Sequence, residues 1–381
     1  MSSYFDDVRI TGVGTTNFGA DYPVRNIQRC AYDLGVQAMS AALDECGLEK
    51  SQIDSLICVR LPSYNQLAVY AGLPSLKSAY SLEGTGRMSG YALHQAACMI
   101  ASGQSKAVAI VYGNNGRSVG DRYGGKFDNT SITAFDAMYG MTSPGAYVAM
   151  MYGRHMYEYG TPTEALATLA INNRRNAILN PVAVFKKPLT AEEYAAAPYI
   201  AEPLRKYDYC LINDGGVCII LTHRSLATGL KKKSVRLLAS ANAADLRPQY
   251  TATDYYYNTS RNVAQSLYEQ AGLTPSDMDC VQIYDNFTPT ILFSLEGFGF
   301  CERGQAGQWV LGGRIELGGE LPINTSGGHT AEGYMQGFAL QAEAIRQARG
   351  ECGDRQVHSY RYTQYICVSP LVNSQIFTAA D

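Results

Sequence analysis

Ala42-Leu-Asp-Glu-Cys-Gly-Leu-Glu-Lys-Ser-Gln-Ile-Asp-Ser-Leu-Ile-Cys-Val59 reads as a helix end, a glycine stop and a short strand. Leu267-Tyr-Glu-Gln-Ala-Gly-Leu-Thr-Pro-Ser-Asp-Met-Asp-Cys-Val-Gln-Ile-Tyr284 repeats that pattern 225 residues later. Gly47 and Gly272 fall where a helix needs a left-handed C-terminal residue. Asp54 and Asp279 each lie seven residues further on, and both lead into apolar strands, Leu56–Val59 and Val281–Tyr284. A second pair keeps the same order. Gly90-Tyr-Ala-Leu-His-Gln-Ala-Ala-Cys-Met-Ile-Ala-Ser-Gly103 resembles Gly337-Phe-Ala-Leu-Gln-Ala-Glu-Ala-Ile-Arg-Gln-Ala-Arg-Gly350, 247 residues on. The first of these helices runs into Ala107–Tyr112, a continuous apolar strand of the kind buried on both faces of a sheet.

Helices alternating with strands in two similar halves predict a duplicated α/β unit. We expect a first half over 1–225, from a strand at Val8–Val13 to one at Gly216–Thr222, and a second half over 226–381. The second should open with Val235–Ser240 and close near Tyr365–Ser369. Residues 113–211 have no counterpart in the second half. They read as an insertion with a Gly/Asn/Asp/Arg-rich loop (Gly113–Thr130) and helices such as Pro162–Leu179, the kind of segment that builds or covers a site.

Composition narrows the function classes. The chain has 381 residues, 46% of them hydrophobic and 17% charged, as in a soluble globular protein with more than one core. A formal charge of −3 gives no electrostatic case for nucleic acid or an anionic membrane. Lys231-Lys232-Lys233 reads as a solvated turn. Ten cysteines without a CxxC pair or close Cys/His spacing argue against a zinc site and a disulfide framework. With no signal-like or membrane-spanning apolar run, we expect a reducing cytoplasm, and Asn-x-Ser/Thr matches at Asn129, Asn258, Asn286 and Asn324 are read as chance. Tyrosine is the anomaly, at 28 residues against one tryptophan. Tyr255-Tyr256-Tyr257, with Tyr250 nearby, could wall a bulky apolar ligand, or simply be core or dimer surface.

Two further stretches carry a family resemblance. Tyr284-Asp-Asn-Phe-Thr288, followed by Leu295-Glu-Gly-Phe-Gly-Phe-Cys-Glu-Arg-Gly304, resembles the Asn-Glu-Ala-Phe or His-Asp-x-Phe motif of thiolases. Asn324-Thr-Ser-Gly-Gly328 with Glu332-Gly-Tyr-Met-Gln-Gly337 resembles the thiolase segment Asn-x-x-Gly-Gly…Gly-His-Pro-x-Gly. The likeness covers nearly the whole chain and is strongest to the lipid-transfer-protein, or sterol-carrier-protein, branch. It implies the thiolase fold, with βαβαβαββ halves in five layers, α-β-α-β-α, and an inserted loop domain.

Departures from the family pattern carry the functional reading. Where thiolases place a nucleophilic cysteine, this chain has Glu83-Gly-Thr-Gly-Arg-Met-Ser-Gly90. Cys98 lies further along the helix and reads as a small core residue. The family's Gly-His-Pro histidine is Tyr334 here, and the residue opening the other motif is Tyr284. Cys367, in Cys367-Val-Ser-Pro-Leu-Val-Asn-Ser374, aligns loosely with the second thiolase cysteine but lacks its glycine. A covalent acyl-enzyme has no evident nucleophile, Ser89 and Thr85 being conceivable substitutes with no base to serve them. The tyrosine pair is similar to that of thiolase-like aldolases that shorten steroid side chains. The resemblance therefore implies retro-aldol cleavage of a β-hydroxyacyl-CoA into a short acyl-CoA and a ketone or aldehyde.

On that reading Tyr334 takes the hydroxyl proton, and Tyr284 donates to the thioester oxygen or protonates the enolate, though the two roles are interchangeable on sequence alone. His329, Asn324, Ser326, Gly327, Gly328, Gly333 and Asp285 are expected around the substrate, with His329 tuning a tyrosine and Asp285 bracing the loop. No bound cofactor or metal is indicated, CoA entering as the substrate's thioester. The resemblance implies a homodimer and a small OB-fold, zinc-ribbon partner that helps hold the acyl-CoA. Two other readings stay open. One is an acyltransferase or condensing enzyme of the same fold, which would form a covalent adduct. The other is a noncatalytic acyl-CoA or sterol-binding subunit in which tyrosines fill vacated space. The acyl skeleton also stays open, a steroid, aromatic or branched chain fitting equally.

Overall fold

The computed structural model describes residues 4–82, 87–122, 134–246 and 252–380. The strands are β1 (Val8–Thr15), β2 (Ser55–Val59), β3 (Ser78–Leu82), β4 (Ala107–Asn114), β5 (Tyr199–Ala201), β6 (Leu204–Arg205), β7 (Gly215–His223), β8 (Val235–Ala244), β9 (Cys280–Ile283), β10 (Thr363–Cys367) and β11 (Leu371–Ala379). β5 and β6 form a small ribbon, and the other nine run in the order β3-β2-β4-β7-β1-β8-β11-β10-β9. The two halves meet where β1 pairs with β8 through Arg9↔Arg236 and Ile10↔Val235. On either side the pattern is mirrored. β7 is antiparallel to β4 and β1, and β11 is antiparallel to β10 and β8, while β2–β4 and β9–β10 are parallel. The first half adds β3 beyond β2. In the second half that strand has shrunk to one parallel bridge, Val281↔Ile323.

Helix Ala31–Cys46 packs on β1, β4 and β7 from outside, and helix Tyr257–Ala271 packs on β8 and β11. Helices Ser89–Ala101 and Phe338–Arg349 lie between, each touching strands of both halves. This is the expected five-layer arrangement, and it explains why β4 and β7 are apolar along nearly their whole length. At Gly14 and Gly216 a Cβ would collide with the Ala38 and Leu34 carbonyls of the outer helix, so glycine sets how closely helix and sheet approach.

The repeated residues do equivalent work. Gly47 (φ 81°) and Gly272 (φ 66°) end their helices in the left-handed region. The Asp54 carboxylate accepts the Lys106 and Ala107 amides at 2.9 and 3.3 Å. The Asp279 carboxylate accepts the Tyr362 amide at 2.8 Å. Each aspartate thus pins the start of one strand to the start of its parallel neighbour.

Two expectations change. The second half closes with β11, beyond Tyr365–Ser369. Its sequence LVNSQIFTA mixes polar with apolar residues, yet Asn373, Ser374 and Gln375 are fully buried. Their side chains are occupied by the Arg87 carbonyl, the Tyr365 carbonyl and the Gln341 amide. The tyrosine cluster is core rather than a ligand wall. Tyr255 and Tyr256 are buried, Tyr255 stacks on Phe293 at 5.3 Å, and its hydroxyl bonds Glu158 at 2.6 Å. Tyr250, Thr85, Asn129 and the later part of the Gly/Asn-rich loop lie outside the described residues.

The insertion contributes helices Pro144–Tyr159, Glu164–Leu179 and Ala191–Ala196 and the β5–β6 ribbon. Its helices pack chiefly on the second half, where Val148, Tyr152, Leu166 and Leu169 share a core with Val263, Ile291, Phe293 and Phe298, while Val182 and Phe185 touch the first half at Gly19 and Tyr22. His155, fully buried, ties the two together by bonding Thr161 at 2.7 Å and Glu296 at 3.1 Å. Among the described residues no helix is long and apolar enough to cross a membrane.

Candidate active site

Tyr284 follows β9 directly. Its amide donates to the Ile366 carbonyl at 2.8 Å, so the ladder with β10 delivers the ring to the end of the strand. Tyr334 lies in the Gly-rich loop before helix Phe338–Arg349, and its amide donates to Asn213 Oδ1 at 2.7 Å. Asn213 is itself held by Asn114, whose side chain donates to the Asn213 carbonyl at 2.8 Å. A tyrosine of the second half is therefore positioned by residues at the strand ends of the first. At Gly333 a Cβ would lie 3.0 Å from Asn213 Nδ2 and 3.2 Å from the Phe18 ring, so a larger residue would have to push that anchor or the ring aside.

The two phenol oxygens are 2.8 Å apart. His329 sits edge-on to both rings, at 4.7 Å from Tyr284 and 5.0 Å from Tyr334. Its Nε2 accepts the Gly337 amide at 3.0 Å, which assigns the ring proton to Nδ1, 3.4 Å from Asp285 Oδ1. Asp285 in turn accepts the His329 amide and the Asn173 side chain, both at 2.8 Å. Asn324 reaches across to β9, accepting the Ile283 amide at 2.6 Å and donating to its carbonyl at 3.0 Å. It supplies the backbone partner that the missing third strand would have given. Ser326 donates to Glu332 at 2.6 Å. Gly327 and Gly328, both at positive φ, pass against Ala177 and the Asp285–Asn173 pair.

A cavity of about 310 Å³ opens over the tyrosines, and both line it. None of the seven residues expected around the substrate does. Asp285, Asn324, Ser326 and His329 are fully buried, and Gly327, Gly328 and Gly333 are buried with them. They stand behind the tyrosines and hold them, because a glycine-rich turn lets loop backbone approach loop backbone as readily as a ligand. Asp285 joins the loop to the insertion through the His329 amide and the Asn173 side chain. The walls come from residues that the sequence reading passed over: apolar Pro144, Ile200, Ile212 and Phe287, the cations Arg87 and Lys206, and polar Tyr209, Cys210 and Asn286. Asn286 and Phe287 belong to the motif opened by Tyr284, and Arg87 to the segment that lacks the thiolase cysteine. Lys206, Tyr209 and Cys210 sit in the insertion, where no repeat pointed to them.

Burial governs the electrostatics. It pushes the Tyr284 phenol well above its usual range, with Tyr334 and Cys367 nearby adding to the effect. It raises Asp285 to about 8 and lowers His329 to about 3, so both are neutral near pH 7. The thiols of Cys210, on the wall, and Cys367, behind it, are pushed up as well, Cys367 to about 12. Ser89 is fully buried and bonded to Tyr365 Oη at 2.8 Å, away from the cavity wall. The floor thus offers two touching phenol hydroxyls, able to donate, accept and pass a proton, and no thiolate.

Comparison with known proteins follows the same lines. Residues 8–225 match the family described as thiolase, N-terminal domain, and 241–375 match the thiolase C-terminal domain-like family. The chain is 34% identical to a 17-hydroxy-3-oxo-4-pregnene-20-carboxyl-CoA lyase of Mycobacterium tuberculosis, covering 90% of this chain and 91% of that one. It is 33% identical to a steroid side-chain-cleaving aldolase of Thermomonospora curvata, over 90% of each. Among solved structures, an Ltp2-ChsH2(DUF35) aldolase superposes with a TM-score of 0.88 at 29% identity, covering 98% of both chains.

Proposed function

This chain belongs to the thiolase family, and from that premise we propose that it is a carbon–carbon lyase acting on a β-hydroxyacyl-CoA by retro-aldol cleavage. The observation that carries the reading is the pair Tyr284–Tyr334, 2.8 Å apart on the cavity floor. Two relatives, a steroidal CoA lyase and a side-chain-cleaving aldolase, support the reaction class and favour a steroid skeleton.

In the proposed step, Tyr334 accepts the β-hydroxyl proton as the Cα–Cβ bond breaks. The hydroxyl carbon becomes the ketone or aldehyde, and the bonding pair moves into the enolate of the thioester. Tyr284 hydrogen-bonds that enolate and delivers the proton that completes the short acyl-CoA. Burial opposes a free phenolate at Tyr284, so we assign it the donor role. Contact between the hydroxyls lets one proton enter through Tyr334 while another leaves through Tyr284, and the pair need not hold net charge. Apolar walls suit the acyl skeleton, and Arg87 and Lys206 suit the anionic CoA end. We further propose a homodimer and a small OB-fold, zinc-ribbon partner, in keeping with the pairing of Ltp2 with ChsH2(DUF35) in the solved aldolase.

The test is to incubate the chain, alone and with such a partner, with steroidal and branched β-hydroxyacyl-CoA esters and to follow release of the short acyl-CoA. Absence of cleavage under every combination, with ligand still bound, would turn the reading to a binding subunit. Cys210 on the wall keeps a second reading alive, an acyltransferase with that thiol as nucleophile. It requires an acyl adduct in the intact mass that disappears in Cys210→Ser. The lyase forms none, and Cys210→Ser leaves it active.

A further inference from the structure

Helix Glu164–Leu179 of the insertion changes character along its length. Its first part is apolar, Leu166, Leu169 and Ala170 entering the core shared with the second half. Beyond them stand Asn172, Asn173 and Asn176, with Asn180 closing the helix, and all four are buried. Asparagine is a poor helix former, and a buried amide is costly unless it is hydrogen-bonded. Residues 173, 176 and 180 follow one another at helical spacing, so they share a face.

That face meets the loops that carry the two tyrosines, and all four side chains donate to them. Asn172 reaches the Ile323 carbonyl at 3.3 Å, and Asn176 reaches the Ile323 and Asn324 carbonyls at 3.2 and 3.1 Å. Asn180 reaches the Ser326 carbonyl at 3.0 Å and Glu332 Oε1 at 2.9 Å. These contacts all fall on the segment before Tyr334. Asn173 differs. Its one nitrogen donates to Asp285 Oδ2 at 2.8 Å and to Thr330 Oγ1 at 2.9 Å. Asp285 follows Tyr284 in the chain, and Thr330 follows His329, whose ring lies edge-on to both phenol rings. A single amide thus spans the two loops with both of its hydrogens, and it does so from behind the cavity wall.

We propose that Asn173 is a positioning residue: by bridging Asp285 and Thr330 it fixes the spacing at which the Tyr284 and Tyr334 hydroxyls touch. Both acceptors are held at set distances from one nitrogen. The loops cannot part without breaking a bond in a buried site, where no water stands ready to replace it. The inference rests on the retro-aldol reading for its effect on turnover, and on geometry alone for its effect on the phenols.

Tyrosine labelled with carbon-13 at the ring carbon bearing the hydroxyl reports on the phenols by NMR in the full chain. The Tyr284 and Tyr334 resonances are assigned by their loss in Tyr284→Phe and Tyr334→Phe. Both are expected to shift in Asn173→Ala. There kcat for cleavage of the β-hydroxyacyl-CoA should fall about 10²-fold, the cost of an ångström-scale misplacement. KM should stay within about twofold of the parent, because Asn173 does not line the cavity. Leu169→Ala, on the same helix but facing the core, should lower the unfolding midpoint and leave both resonances and kcat in place. Thr330→Val keeps the shape and removes one acceptor, so the same resonances should move by less and kcat should fall less steeply. This variant decides the matter where Asn173→Ala does not fold. Resonances unmoved in the folded variants, or moved equally in Leu169→Ala, would overturn the proposal. A parent that cleaves no ester would sink the retro-aldol reading alone, and the resonances would still decide the role of Asn173.

Discussion

The ends of β2 and β9 are the same place in the two halves, and they have been put to different uses. Both strands are pinned at their start by an aspartate, Asp54 or Asp279, that accepts amides of the neighbouring strand. Five residues later the halves part. Val59 is an ordinary buried core residue paired with Leu82 and Tyr112. Its counterpart Tyr284 carries a phenol to the cavity floor. The next pair diverges as well. Arg60 is ion-paired to Asp121 at 3.0 Å near the surface, whereas Asp285 is fully buried behind the tyrosines. What the fold needs is present in both copies, and only the second presents a phenol to the cavity at this point.

The largest effect should follow from breaking that difference at its centre. Tyr284→Phe and Tyr334→Phe are each expected to lower kcat by about 10²–10⁴-fold, the usual worth of a positioned proton donor or acceptor. Thermal unfolding should move little, since each phenyl ring still fills its space. Val59→Ala should do the reverse, costing about 2 kcal/mol of stability through a core cavity while leaving kcat per folded molecule unchanged. A tyrosine variant that keeps full turnover would sink the functional half of the comparison.

Next comes pH. The buried Asp285 carboxyl is raised from its ordinary range to about 8. A group with a raised folded-state pKa contributes stability that is fully present below its unfolded value, near 4, and lost as pH rises towards 8. Asp285→Asn, which cannot ionise, should therefore gain on the parent by up to about 1.4 kcal/mol per pH unit across that window. His329, lowered to about 3, acts in the opposite sense, its contribution being lost as pH falls from about 6.5 through 3. Denaturant midpoints of the two proteins from pH 4 to pH 8 measure the difference, and parallel curves would show that Asp285 is charged throughout.

The shared anchors should behave alike, differing only in degree. Asp54 accepts two amides and Asp279 one, so Asp54→Ala is expected to cost about 2 kcal/mol and Asp279→Ala about 1 kcal/mol. Equilibrium unfolding of both variants tests this, and a marked inversion would mean that the two aspartates are not equivalent.

The sequence made the anchors visible because they repeat. Gly47 and Gly272, Asp54 and Asp279, and the two glycine-bounded inner helices could be matched without knowing any structure. Tyr284 and Tyr334 were visible for the opposite reason, as departures within matched stretches. The residues missed had neither signal. β11 hides Asn373, Ser374 and Gln375 in the core by giving each a hydrogen-bond partner, and no hydropathy pattern encodes partners. Lys206, Tyr209 and Cys210 reach the cavity from a segment with no copy to compare. His329 and Asn324 were found but set in front of the tyrosines when they lie behind them, because residue type and spacing do not say which side of a loop faces the ligand.

The smallest effect belongs to Arg60, and it tests whether the first-half exit has any function left. A half-exposed ion pair is worth less than about 1 kcal/mol, so Arg60→Ala should destabilise by no more than that. Arg60 also sits at φ 60°, in the left-handed region, where a side chain carries strain that glycine does not. Arg60→Gly loses the same pair but relieves the backbone, and it is expected to come out close to the parent and above Arg60→Ala in unfolding midpoint. Neither change should alter turnover, whereas Asp285→Ala, at the matched position in the second half, is expected to loosen the loop behind both phenols and lower it. If the Arg60 variants lost activity too, the first-half strand end would have to be counted as part of the site, and the division of labour between the two copies would fail.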